Sequence, residues 1–167
     1  KGMTAIKEQK LDEAISFFDK SIELKKDEYV VWYNRGIVKS WQRKYKEAIV
    51  DFNQTIVLNP TYKKAYNSRA NQKNDITDYD GALADYNAAI KLDSLYIDAL
   101  YNRGVLLELL GKREEACKDF NVAYSLGDEQ SKRKAEKCKE PAPTGIYSIL
   151  RLTKTAADNK YGFSSDK

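Results

Sequence analysis

Residues 29–62 read YVVWYNRGIVKSWQRKYKEAIVDFNQTIVLNPTY, and the same spacing of residue types returns 34 residues earlier and later along the chain. A small residue recurs at Gly2, Gly36, Ala70 and Gly104, an alanine at Ala14, Ala48, Ala82 and Ala116, an aromatic at Phe18, Phe52, Tyr86 and Phe120, and a leucine at Leu24, Leu58, Leu92 and Leu126. A fixed period of this length marks a stack of like supersecondary units. Within each period the small residue and the later Ala-x-x-x-aromatic group fall in separate stretches of helical spacing, so the unit is a helix-turn-helix. Its small residues let the two helices approach closely, and its aromatic has the size to fill the gap to the next unit.

Carrying this frame along the chain gives an incomplete unit over 1–28 and units over 29–62, 63–96 and 97–128. In the second, a first helix over about Val30 to Gln42 and a second over Tyr45 to Leu58 are expected, the latter stopped by Asn59-Pro60. Asp93-Ser94 and Gly127 punctuate the next two units. Residues 129–139 read as a polar capping helix, with Lys132, Arg133, Lys134, Lys137 and Lys139 toward its end, where the helix dipole favours cations. Residues 140–167 form a linker and non-repeat tail, opened by Pro141, Pro143 and Gly145. Its apolar segment Ile146 to Leu152 has three open roles: the start of a further domain, an arm on the solenoid, or a strand added to another chain. Gly2 occupies the middle of a first helix, so the frame starts inside a repeat and any targeting segment is out of view.

Trp32, Gly36, Ala48, Phe52 and Pro60 resemble the tetratricopeptide pattern W-x2-L-G-x2-Y, A-x3-F, P, with Arg35 and Lys39 departing from its Leu and Tyr. The resemblance covers about Lys1 to Asp128. It implies an all-α, right-handed superhelical solenoid of antiparallel helix pairs, about 3.5 to 4 repeats, whose first helices line a concave groove that holds peptides or helices.

Charged residues make up 32% of the 167-residue chain and hydrophobic ones 42%, an ordinary globular balance. The net charge of +4, with acidic and basic residues interleaved, gives no basic block to attract nucleic acid. No apolar run approaches the roughly 20 residues that span a bilayer. The chain has no histidine, which removes the commonest general base and metal ligand. We therefore expect no catalytic residues, no cofactor, no metal and no small-molecule substrate.

Arg35, Arg69 and Arg103 are each followed 16 residues later by Asp51, Asp85 and Asp119. A buried carboxylate needs a partner, so these are read as ion pairs between the helices of a unit, ahead of an arginine row for an acidic ligand. By the family analogy the groove would present Tyr33, Asn34, Ile37 and Trp41, then Lys64, Asn67, Asn71 and Asn74, then Asp98, Tyr101, Asn102, Val105 and Glu108. Asn67, Asn71 and Asn74 stack on one helix face, and their amides suit a peptide backbone; the competing reading is a solvated face with aromatics in inter-helix packing. A chaperone-type carboxylate clamp matches only in fragments. Asn34 and Lys64 fit it, while Met3, Ser68 and Asp98 do not.

Cys117 and Cys138 flank the turn at Gly127 at similar distances, so they could approach. They are read first as reduced packing residues, with a disulfide requiring an oxidising compartment and a metal site lacking further soft ligands. The function expected is a non-catalytic scaffold binding a protein or peptide segment in its groove. The alternatives are a regulatory or substrate-presenting part of a larger enzyme, and self-association through repeat ends.

Overall fold

The computed structural model describes residues 2–140, with side chains from residue 10 onward. The expected tail beyond Glu140 lies outside the described residues. Eight helices follow in order: α1 (Gly2–Leu24), α2 (Tyr29–Trp41), α3 (Tyr45–Leu58), α4 (Lys63–Asp75), α5 (Tyr79–Leu92), α6 (Ile97–Leu109), α7 (Arg113–Ser125) and α8 (Glu129–Cys138). Each packs on the next, and the first helices of neighbouring units also touch, α2 on α4 and α4 on α6. The second helices α3, α5 and α7 make no comparable contacts with one another among the described residues. A stack drawn together along its first helices curves toward them, which makes the right-handed solenoid concave on the side of α2, α4 and α6.

The two helices of a unit approach through the small residues. At Gly36 a β-carbon would lie 2.7 Å from Cε1 of Phe52, and at Gly104 it would lie 2.7 Å from Cε1 of Phe120. The aromatic ring therefore lies over the small residue of its own hairpin, where the sequence pattern suggested a filler toward the next unit. Tyr86 does both, sharing one buried cluster with Ala70 of its own unit and Ala99 of the next.

The hairpin turns carry a left-handed residue at a fixed place: Arg43 (φ 60°), Thr77 (φ 64°) and Gly111 (φ 76°). Only Gly111 adopts this conformation freely. Packing of the paired helices holds Arg43 and Thr77 there against a cost of roughly 1–2 kcal/mol. The first unit departs from the expected helix pair, because α1 runs unbroken from Gly2 to Leu24. Lys7-Glu8-Gln9-Lys10 is a run of good helix formers without a turn residue.

The reading of Cys117 and Cys138 as reduced packing residues is overturned, since they form a disulfide with 5.6 Å between their Cα atoms. Cys138 is the tenth residue of α8, the place filled by Val38, Gln72 and Leu106 in α2, α4 and α6, all turned inward and buried. From that place it reaches α7. The α8 helix is thus docked like the first helix of a further unit.

Replacing Gly36 with Ala pushes a methyl into the Phe52 ring. It should lower unfolding free energy by about 1–3 kcal/mol in urea denaturation, with the denaturant dependence unchanged.

Candidate peptide-binding groove

The interior of each unit is polar at one point. Arg35 donates from Nε and Nη2 to Asp51 at 3.0 and 2.6 Å, Arg69 to Asp85 at 2.7 and 2.5 Å, and Arg103 to Asp119 at 2.8 and 2.6 Å. Asp51 is fully buried, and Asp85 and Asp119 nearly so. The third nitrogen, Nη1, reaches the other way: Arg35 to Asp19, Arg69 to Asn53 and Arg103 to Asn87, each 16 residues before the arginine. Each guanidinium thus joins its own first helix, its own second helix and the second helix of the preceding unit. The sequence reading missed these backward partners, although Asp19, Asn53 and Asn87 repeat with the same period. Lys39 and Lys73 add a second cation to Asp51 and Asp85. Leu107 holds that place in the last unit, leaving Asp119 to Arg103. At Arg35 burial disfavours the charged form, and the hydrogen bonds it donates to Asp51 and Asp19, with their charges, more than offset it, so its pKa is raised.

On the concave side, a hollow of about 300 Å³ lies where α4, α6 and α8 meet. It brings together Asn67, Asn71, Tyr101 and Asn102 with Asp98 and Ile97, and α8 contributes Asp128 and Gln130. Asp128 caps α8 by accepting from the Ser131 amide at 3.0 Å, while Gln130 is the second residue of α8, the place of Lys64 and Asp98 in α4 and α6. These two were missed because α8 begins 32 residues after α6, two short of the period. Counted from the helix starts, Gln130 falls into line.

The other groove candidates do not line the hollow. Tyr33 is wedged between the rings of Phe52 and Tyr62, at 5.7 and 5.1 Å between centroids, with its hydroxyl 3.3 Å from Ser68. It is an inter-helix packing residue. Asn34, Lys64 and Val105 are exposed, and Ile37 and Asn74 half-buried, outside the hollow. Trp41 is 66% exposed at the end of α2.

Two hydrogen bonds orient the asparagines. Tyr86 donates its hydroxyl to Oδ1 of Asn71 at 2.5 Å, and Asn102 donates its amide to Oδ1 of Asn67 at 3.2 Å. Burial of Tyr86, with the charge of Asp75 second, pushes its phenol pKa well up and keeps that hydroxyl a donor. Both asparagine oxygens being occupied, their Nδ2 groups are the donors left over in the hollow. Burial and then the Asp98 charge likewise raise Tyr96.

A curved stack of helix hairpins with polar side chains ordered along its inner face defines a helical-repeat solenoid. Tetratricopeptide repeat models match residues 1–28, 29–62 and 98–126, and a TPR repeat model matches residues 77–111. The chain belongs to the tetratricopeptide repeat family. A search of curated proteins finds no match. Among solved structures, that of MamA is 18% identical and covers 93% of this chain and 87% of its own, with a TM-score of 0.72. The first TPR of Spaghetti (RPAP3), bound to the HSP90 peptide SRMEEVD, is 26% identical over 66% of this chain and 89% of that one, TM-score 0.62. The second TPR domain of human RPAP3, in complex with the HSP70 peptide SGPTIEEVD, is 29% identical over 66% and 93%, TM-score 0.60.

The Tyr86 bond gives Asn71 a structural share. Asn71→Ala strands a buried hydroxyl and should lower unfolding free energy by about 1–3 kcal/mol. Asn71→Asp keeps the acceptor and should lose much less, as paired thermal melts would read.

Proposed function

We propose that this protein is a non-catalytic interaction scaffold that holds an extended segment of a partner protein against its concave face. The observation that carries the reading is the pair of oriented amides at Asn67 and Asn71. Their oxygens are engaged by Asn102 and Tyr86, so they offer donors to a partner's backbone carbonyls with little demand on its side chains. Tyr101 and Ile97 supply apolar surface beside them, and aromatic anchors dominate the energy of such contacts. Peptides held by the RPAP3 domains support the general mode.

The acidic ends of those peptides are not carried over. Asp98 and Asp128 line the hollow and no lysine or arginine does among the described residues, so a partner's carboxylate would meet like charge. Affinity in this reading comes from backbone hydrogen bonds and apolar contact.

Site-specific photo-crosslinking tests the location of binding without disturbing the fold. With a photoreactive phenylalanine at Val105 on α6 or at Val57 on the outer helix α3, both exposed, a random peptide library should crosslink several-fold more at 105. Equal capture at both positions, or none at 105, would contradict the proposal.

A further inference from the structure

The last wall of the groove is held less firmly by packing than the others. Among the described residues, α6 buries Ala99, Leu100, Leu106 and Leu107, whereas α8, ten residues long, buries only Ser131 and Ala135. Its remaining ties are polar and largely exposed. Lys134 pairs with Glu108 and lies over the Phe120 ring. Arg113 donates to the backbone oxygens of Lys137 and Glu140 at 2.7 and 2.8 Å. Surface pairs of this kind contribute little, and a helix this short is marginal without tertiary support.

The Cys117–Cys138 disulfide supplies the missing tie. It fastens the last residue of α8 to α7 and closes a loop of 21 residues across the turn. Such a loop closure shifts the undocking equilibrium by about 100-fold. Both cysteines are half-buried, so a small reductant can reach them. We propose that this disulfide is a redox latch on the groove: oxidised, it keeps α8 docked with Asp128 and Gln130 in the hollow, and reduced, it lets α8 detach and dismantles that wall. The regulatory consequence rests on the groove reading above.

The chemistry is thiol–disulfide exchange with a dithiol reductant. One reductant thiolate attacks a sulfur of the bridge and expels the other cysteine as thiolate. The second reductant thiolate then resolves the mixed disulfide. Cys117 and Cys138 end as two thiols after protonation, and the reductant ends as a disulfide, two electrons having moved.

Hydrogen exchange read by mass spectrometry tests the latch directly, on the full chain with and without dithiothreitol, the thiols counted in each sample. Reduction should raise exchange in residues 129–138 by about 100-fold and leave α3 to α6 unchanged. A Cys117→Ser, Cys138→Ser variant should show the fast exchange in both conditions, which separates the bridge from any other action of the reductant. Unchanged protection of α8 after full reduction overturns the latch. A peptide selected by crosslinking at position 105 should be held at least tenfold more weakly by the reduced protein, and equal retention with α8 released overturns the regulatory claim. If crosslinking instead places binding outside the groove, the groove reading fails, while the exchange of α8 still decides whether the latch exists.

Discussion

A guanidinium that reaches three helices at once is the constraint on which this solenoid depends. Arg35, Arg69 and Arg103 each place two nitrogens on the aspartate of their own second helix and the third on the second helix of the unit before. The closest contacts within each hairpin are made by a small residue against an aromatic ring, and the charged group lies beside that apolar packing. A nearly dry carboxylate in that setting demands a partner in one geometry, and the planar fork of arginine meets the demand in both directions. The same group therefore fixes the angle within a hairpin and the register between hairpins. That register sets the spacing of α2, α4 and α6 along the groove.

The asparagines on α4 show how the placement of side-chain donors follows from that packing. Tyr86 stands over the small residue Ala70 and, from this buried position, bonds Asn71. Asn102 on the next first helix does the same for Asn67. Each bond occupies an amide oxygen and leaves an amide nitrogen over, so the orientation of the donors is a product of helix packing. Preorganised donors lose less entropy on binding than free side chains.

The repeat, the hairpins and the forward arginine–aspartate pairs are legible in the amino-acid sequence, because a strict period turns one contact into three aligned copies. The backward contacts to Asp19, Asn53 and Asn87 obey the same period, but asparagine on a helix surface reads as ordinary solvation until its neighbour is known. Tyr33 has two readings in the sequence for a related reason: a tyrosine on a first helix suits a groove and a packing seam equally, and the rings of Phe52 and Tyr62 are what show its packing contacts. The role of α8 was hidden by the short connection after α7, which breaks the period just where Asp128, Gln130 and Cys138 enter. The spacing of the two cysteines about Gly127 allows their approach, but their pairing depends on Cys138 standing in an inward-facing place.

The most direct test of this account is native-state hydrogen exchange of Arg69→Ala against the unaltered protein. If the guanidinium joins units as well as helices, amides in α3 should lose protection together with those in α4 and α5, by about 1–3 kcal/mol as expected for a buried carboxylate left with Lys73 as its cation. Loss confined to α4 and α5 would show that Arg69 holds its own hairpin only. Unchanged protection throughout would contradict the central role given to these arginines.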